Sequence, residues 1–294
     1  MKPAPFDFAA PTTVVEALHL LAQAGEDAKV LAGGQSLIPL LNFRLLRPRL
    51  VVDLNRIDAL AGIRPEGEGL AIGSMTRQAD AEASPLVLAR APLLAEALSL
   101  IGHPAIRFRG TVGGSLAHAD PAAELPAVAI ALDAVLGLAG TRGGRTVKAA
   151  DFFLGPMTTD LAPGEILSEI VLPPWSPAWG WACMEFARRA GDFALAGAVV
   201  ALAVDNGRIA EPTRVVVIGG ADRCHRASAT EASLLGRTPD TRAFGEAAAL
   251  ADAGIDVRSD VHGSAAYRRD LMRTLTSRAL ATAAARAGGH ATHG

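Results

Sequence analysis

The chain has 294 residues, half of them hydrophobic and 20% charged, which suffices for two domains with buried cores and excludes global disorder. Its 28 basic and 30 acidic side chains nearly balance, so no basic excess is present to neutralise the phosphates of a nucleic acid. Only Cys183 and Cys224 are cysteines, which excludes a disulfide scaffold and a four-cysteine zinc or iron–sulfur site within this chain.

Helices and strands alternate at the start of the chain. Thr13 followed by Glu16 forms a capping-box pattern, which predicts that a helix begins there. Short apolar runs predict strands at 29–31 and 50–54, with a short helix at 38–43 between them. This order of elements indicates α/β packing in the N-terminal part.

The middle of the chain is predicted to contain both helices and strands. The predicted strands are 70–73, 134–139, 146–149 and 166–172, and the predicted helices are 76–83, 92–101 and 122–132. A hairpin turn is predicted at 141–144, where two glycines follow Thr141 and Arg142.

Three prolines in the segment 173–177 predict a domain boundary, because proline stops both helices and central strands. Beyond it, strands are predicted at 182–188, 198–204 and 214–218, and helices at 227–235, 242–253 and 265–286. We therefore expect an N-terminal domain over 1–175, in two parts of about 1–55 and 56–175, an α+β domain over 178–287, and a flexible tail over 288–294.

Two related glycine segments are the strongest feature of the sequence. They read Ala32-Gly33-Gly34-Gln35-Ser36-Leu37 and Thr111-Val112-Gly113-Gly114-Ser115-Leu116. Paired glycines permit positive φ angles and leave consecutive N–H groups unshielded, a geometry that binds phosphate oxygens. One such turn alone would be only a connection, but the repeated pattern predicts two loops that clasp a diphosphate. No P-loop pattern is present.

These motifs resemble one known family. The segments 32–39 and 111–124, together with 189–194, are similar to the FAD-binding medium subunit of the molybdenum hydroxylases, the carbon monoxide dehydrogenase and xanthine dehydrogenase family. The likeness spans nearly the whole chain. It implies an α+β fold class with a two-part, vanillyl-alcohol-oxidase-like (PCMH-type) FAD-binding domain, followed by a small C-terminal domain with a three-stranded sheet and helices.

The resemblance also implies a set of residues around a non-covalent FAD. The set is Ala32, Gly33, Gly34, Gln35, Ser36, Leu37, Thr111, Val112, Gly113, Gly114, Ser115, Ala117, Asp120, Glu124, Ile166, Leu167, Asp192 and Phe193. Both glycine segments would hold the diphosphate through backbone N–H groups, and Glu124 would bind the ribityl chain. Ile166 and Leu167 would lie against the adenine or flavin. Phe193 would lie beside the isoalloxazine, where many members have tyrosine.

By this resemblance, the chain is an electron-transfer subunit. Electrons would come from a molybdenum cofactor on a large partner chain through two [2Fe–2S] clusters on a small one, reach FAD here and leave to NAD, oxygen, a quinone or a carrier protein. A dimer of heterotrimers is expected. We name no catalytic acid, base or nucleophile, because the chemistry would belong to the cofactor. We name no metal ligand, because the spacing of His118, Asp120 and Glu124 matches no common metal site. Arg188 and Arg189 are equally compatible with two positions: a pair of solvated charges on the surface, and the edge of the flavin pocket that the resemblance implies.

Two alternatives remain at the level of sequence. One is a self-contained FAD-dependent oxidase or reductase of the same superfamily, and the other is a non-catalytic nucleotide-binding assembly module. The N-terminus has no apolar signal region, and no apolar run approaches the roughly 20 residues of a membrane helix. We therefore expect a cytoplasmic protein without a membrane span.

Overall fold

The computed structural model describes residues 2–287. The tail predicted at 288–294 lies outside the described residues. Within them, the chain forms three principal sheets in chain order, each with its own group of helices.

The first sheet is small and parallel, with strand order β1-β3-β2. Its strands are β1 (Asp7–Ala9), β2 (Ala28–Leu31) and β3 (Leu50–Asp53), and its helices are α1 (Val14–Ala24) and α2 (Leu37–Asn42). The first strand escaped prediction because only three residues pair. Thr13 caps α1 as predicted, because its hydroxyl accepts from the Glu16 N–H at 3.2 Å. The return bond of a capping box would run from the Thr13 N–H to the Glu16 carboxylate. Here that carboxylate accepts from the Thr12 N–H instead, at 3.0 Å.

The second sheet has five antiparallel strands in the order β4-β5-β10-β6-β7. These strands are β4 (Ile63–Glu66), β5 (Gly69–Gly73), β6 (Val135–Gly140), β7 (Gly143–Lys148) and β10 (Ile166–Leu172). A separate two-stranded sheet consists of β8 (Phe153–Gly155) and β9 (Thr158–Thr159). The predicted hairpin turn is shorter than expected, since the two glycines at 143 and 144 already pair within β7.

Seven helices accompany the second sheet in the described residues. They are α3 (Gln78–Glu82), α4 (Pro85–Arg90), α5 (Pro92–Leu100), α6 (Pro104–Arg107), α7 (Val112–His118), α8 (Glu124–Ala131) and α9 (Ala149–Phe152). Every residue of α8 is buried, so this helix forms the centre of the main core together with α5 and β5. Because α8 is apolar on all sides, it contacts the C-terminal domain as well as the helices α5, α7 and α9 of its own domain.

The C-terminal domain has a four-stranded antiparallel sheet in the order β11-β12-β13-β14. Its elements are β11 (Trp179–Phe186), β12 (Ala196–Asp205), β13 (Arg208–Ile218), β14 (His225–Arg226), α10 (Ser228–Leu234), α11 (Thr241–Ala248) and α12 (Ala265–Arg286). The bounds of α12 agree with the prediction, and the three long strands lie where strands were predicted, but β13 begins at Arg208 instead of 214. The expected three-stranded sheet is corrected by β14, a two-residue edge strand that is too short to leave a periodic signal.

Candidate cofactor site

The two glycine segments lie in direct contact. A Cβ atom on Gly33 would lie 2.7 Å from the Cα of Gly110, and a Cβ on Gly114 would lie 3.4 Å from the Cβ of Ala32. Real side chains essentially never approach as closely as the first distance. The absence of a side chain at Gly33 is therefore what lets the two segments pack together.

The first segment presents a row of backbone N–H groups. Gly34 has a φ of +73°, and the first backbone bond of the following turn runs from the Ile38 N–H to the Gly34 carbonyl at 3.0 Å. The five N–H groups of residues 33–37 donate no hydrogen bond within residues 2–287. Consecutive backbone donors that lack an internal acceptor form a concavity suited to an anion.

The second segment differs from the prediction. Thr111 is the N-cap of α7, and the N–H groups of the next residues already have acceptors: Val112 donates to the Thr76 carbonyl at 3.0 Å, Gly113 to the Ser74 carbonyl at 2.8 Å, and Gly114 to the Thr111 hydroxyl at 3.0 Å. The expectation of a second row of free N–H groups is therefore wrong. The polar groups that this segment can present to a ligand are instead the hydroxyl groups of Thr111 and Ser115.

The glycines of the second segment have a packing role. Neither Gly113 nor Gly114 adopts a positive φ. A Cβ on Gly113 would overlap Ser74, and one on Gly114 would lie 2.6 Å from the Thr111 hydroxyl oxygen. These glycines let the first turn of α7 rest directly on the strand end beneath it. Ser115, half-buried in that turn, has no side-chain hydrogen bond within residues 2–287.

The acidic end of the second motif contains a buried carboxyl pair. Ala117 lies in α7 and Asp120 in the loop after it, where the Asp120 carboxylate accepts from the Ala122 N–H at 2.8 Å. Glu124 begins α8 and is buried. Burial, and then the adjacent carboxyl of Glu185 from β11, raise the pKa of Glu124 to about 8.

The pKa of Glu185 is also raised, mainly by burial. A hydrogen bond between the two carboxyl groups favours the protonated form of Glu124 and the ionised form of Glu185. Burial of the two carboxyl groups side by side therefore favours retention of a shared proton by the pair. Sequence reasoning missed Glu185, although an acidic residue within the apolar run of β11 is a usable signal.

Ile166 and Leu167 are the first two residues of β10, and both are buried. They face opposite sides of the strand: Ile166 packs in the core of the first sheet, and Leu167 in the main core. Their predicted contact with the adenine or flavin stays a prediction.

Asp192 and Phe193 lie on an exposed loop of the C-terminal domain, and the Phe193 ring is 65% exposed. The loop contacts the N-terminal domain at Gly191, where a Cβ would lie 2.8 Å from the imidazole Cε1 of His103. His103 is the N-cap of α6, the helix just before the second glycine segment. Sequence reasoning missed this contact, because it joins segments almost 90 residues apart in the chain.

Asn55 and Arg77 also escaped sequence reasoning. The Asn55 amide donates to the Ala32 carbonyl at 2.9 Å and accepts from the Arg77 guanidinium at 2.6 Å. Arg77 in turn donates to the Arg109 carbonyl at 2.5 Å. The only signal in the sequence is that Asn55 closely follows a predicted strand, which is too general to predict these bonds.

No group of three or more histidine, cysteine, aspartate and glutamate side chains is arranged to hold a metal ion within residues 2–287. Among the described helices, none combines the length and apolar character needed to cross a membrane.

Known proteins resemble this chain over nearly its full length. The model of the FAD binding domain in molybdopterin dehydrogenase matches residues 4–175, and that of the CO dehydrogenase flavoprotein C-terminal domain matches residues 181–283. The alpha subunit of the 6-hydroxypseudooxynicotine dehydrogenase complex of Paenarthrobacter nicotinovorans is 42% identical, over 98% of this chain and 97% of that subunit.

Two solved structures share the fold. Carbon monoxide dehydrogenase from Hydrogenophaga pseudoflava superposes with a TM-score of 0.95 at 42% identity, covering 98% of this chain and 100% of the matched chain. Quinoline 2-oxidoreductase from Pseudomonas putida 86 superposes with a TM-score of 0.93 at 38% identity, covering 98% and 99%. These matches confirm the predicted fold class and the predicted oxidoreductase family. The chain belongs to the FAD-binding medium subunits of the molybdenum hydroxylases, the family that includes the carbon monoxide dehydrogenase flavoprotein.

Proposed function

We propose that this chain holds the diphosphate of FAD against the first glycine segment and passes electrons from a partner chain to an external acceptor. The observation that carries the proposal is the row of N–H groups at residues 33–37, which have no acceptor within residues 2–287. A diphosphate supplies the acceptors that such a row lacks. The fit is specific to the first segment, because the N–H groups of residues 112–115 in the second are already bonded.

In this proposal the second segment forms the other wall of the site. The first turn of α7 is held rigid by its own hydrogen bonds, and Ser115 adds a hydroxyl donor. Glu124 shares a proton with Glu185, so the pair carries one negative charge instead of two. The bound FAD supplies the redox chemistry, while these residues set its position, burial and electrostatic surroundings.

Membership of this family supports a proposal about the partner chains. We propose a small chain with [2Fe–2S] clusters and a large chain with the molybdenum cofactor, assembled as a dimer of heterotrimers in the cytoplasm. The match to the alpha subunit of a dehydrogenase complex runs over 97% of that subunit, as expected for a chain with the same place in a complex. Phe193, with its exposed ring, and Asp192 would stand at the flavin.

We assign the choice of substrate to the large partner chain. The relatives are named for a nicotine-derived compound, carbon monoxide and quinoline, yet they resemble this chain to a similar degree, between 38% and 42% identity. Three such different substrates do not share one pocket. The flavin-binding chain has the same task whichever substrate is oxidised.

Gentle purification from the native source tests the proposal. The fraction that contains this chain should hold iron and molybdenum, and acid should release a flavin that chromatographs as FAD. Release of FMN, or retention of a covalently attached flavin, would contradict the cofactor assignment. A monomer that lacks both metals and turns over a substrate by itself would contradict the subunit role and support a self-contained oxidase.

A further inference from the structure

We propose that Asn55 and Arg77 form a bridge that holds the two glycine segments at the spacing FAD requires, so that both are positioning residues. The proposal rests on the proposed function, in which FAD lies against these segments. Neither residue belongs to a glycine segment, yet together they connect the carbonyl of Ala32 in the first with that of Arg109 beside the second. We call this pair the loop bridge.

The Asn55 side chain makes three hydrogen bonds. Its Oδ1 accepts from Arg77 at 2.6 Å, and its Nδ2 donates to the Ala32 carbonyl at 2.9 Å and to the Asp53 carboxylate. The same carboxylate accepts from the Asn55 backbone N–H at 2.9 Å. One acceptor and two donors are used in one plane, so the orientation of the amide is determined by its partners.

Arg77 holds the other end of the bridge. Its Nη1 donates to the Arg109 carbonyl at 2.5 Å and its Nη2 to Asn55 at 2.6 Å. Burial and the neighbouring charge of Arg109 lower its pKa, which Asp80 and Asp53 partly oppose. The planar guanidinium can make both bonds at once, which a lysine ammonium on its flexible stem cannot reproduce.

The Arg109 carbonyl is the point where the two segments touch. A Cβ on Gly33 would overlap this oxygen, so the first segment presses against it from one side while Arg77 bonds it. The backbone also holds the second segment here: Arg77 pairs with Thr111 as an isolated bridge, and the Gln78 N–H donates to the Gly110 carbonyl at 2.9 Å. The loop bridge therefore acts on the contact that sets the width of the site.

Direct binding of the cofactor by Arg77 is the competing explanation. Asn55 and Arg77 line a cavity of about 560 Å³ together with Leu54 and Met75, so a ligand there could reach the guanidinium. Direct binding requires only a positive charge at position 77, whereas the bridge requires the two hydrogen bonds of a guanidinium. A direct contact with phosphate would survive in Arg77→Lys, whereas the bridge would not.

The test measures FAD affinity of the full chain after removal of its flavin, together with the thermal unfolding temperature of the apo protein. Asn55→Ala, Arg77→Ala and Arg77→Lys should each weaken FAD binding about tenfold. Asn55→Asp should do the same, because a carboxylate cannot donate to the Ala32 carbonyl. The double variant Asn55→Ala/Arg77→Ala should be no weaker than either single variant, since both remove one bridge.

Arg90→Ala is the matched control. Arg90 also clamps two carbonyls, those of Gly67 and Gly69, at 3.0 and 2.9 Å, but it does not contact the glycine segments. It should lower the unfolding temperature without changing FAD affinity. Full affinity in Arg77→Lys, or additive losses in the double variant, would overturn the bridge, as would unchanged affinity in Asn55→Asp. A wild-type chain that binds no FAD would instead contradict the proposed function.

Discussion

At the residue scale, paired glycines with one sequence pattern have two physical roles. Gly34 is in the left-handed region, with a φ of +73°, which lets the chain turn its N–H groups outward. Gly33, Gly113 and Gly114 have no positive φ and are needed because other atoms occupy the space of a side chain. Glycine is thus required for its backbone conformation at Gly34 and for the close approach of neighbouring atoms at the other three positions.

Gly34→Val should weaken FAD binding by a factor of about 100 or more, because a side chain there strains the turn and misaligns charge-assisted N–H bonds. Its Cβ would lie 3.1 Å from Ile38 and 3.2 Å from Leu31. Equilibrium titration with FAD checks this. Gly207→Val is the control, since Gly207 has a φ of +72° and open space around it. Equal FAD affinity in the two variants would refute the cradle.

The buried pair of Glu124 and Glu185 predicts a pH effect on stability. Burial and the neighbouring carboxyl raise the pKa of Glu124 from 4.5 to about 8. The folded state then binds more protons than the unfolded state between these values, so the stabilisation is complete below about pH 4.5 and is lost as pH rises through about 8.

Glu124→Gln keeps a donor for Glu185 and removes this titration. The unfolding temperature of the apo variant should therefore exceed that of the wild type increasingly from about pH 6 to about pH 9, by the equivalent of about 1 kcal/mol or more. Scanning calorimetry across this range is the measurement. An exposed control, Glu246→Gln, should leave the wild-type slope in place. Parallel pH curves for wild type and Glu124→Gln would exclude the shared proton.

At the element scale, the start of α7 decides what the second glycine segment contributes. Thr111 accepts from the Gly114 N–H, and the strand region below accepts from Val112 and Gly113. A segment with its donors engaged is a rigid wall, because moving it would break several hydrogen bonds together. The first segment has donors without an acceptor within residues 2–287, so we expect it to be the part that gains hydrogen bonds when an anion binds.

Thr111→Val should lower the free energy of unfolding by about 1 kcal/mol, because it removes a helix cap and leaves the half-buried Gly114 N–H without its acceptor. FAD affinity should fall severalfold as the wall loosens, and Thr111→Ser should restore both. Ser264→Ala removes the equivalent cap of α12, where Ser264 accepts from the Tyr267 N–H at 3.2 Å, and should reduce stability alone. Denaturation and FAD titration of all three variants distinguish a local from a general effect.

At the scale of the whole molecule, a polar connection joins the two domains beside the carboxyl pair. Glu96 of α5 accepts from the Cys183 N–H of β11 at 2.8 Å and from Arg286 of α12 at 2.5 Å. Arg286 also donates to the Trp181 carbonyl at 2.8 Å. This connection holds the C-terminal sheet, which carries Glu185, against the helix layer of the N-terminal domain.

Glu96→Ala should lower the free energy of unfolding by about 1–3 kcal/mol, because it leaves a buried N–H and an arginine without their acceptor. Urea denaturation followed by tryptophan fluorescence is the measurement. The exposed pair of Arg242 and Glu246, at 2.8 Å, supplies the control: Arg242→Ala should leave the stability nearly unchanged, because water screens a surface ion pair. Equal effects of the two variants would mean that the domains are held together elsewhere.

The sequence by itself determined the family, the cofactor and most long elements. Two glycine motifs in order, an acidic end at Glu124 and three strands after a proline-rich boundary suffice for that, and the bounds of α12 follow from its uninterrupted helical composition. These features are local, because glycine conformation, capping and apolar periodicity act over a few neighbouring residues.

Only the tertiary structure decided which glycine segment has free N–H groups. Gly113 and Val112 lose theirs to carbonyls of Ser74 and Thr76, more than 30 residues earlier in the chain. The partner of Glu124 and the link between Asn55 and Arg77 likewise join distant segments. Local pattern carries no information on such partners, because whether a donor is free depends on which strand end the fold brings beside it.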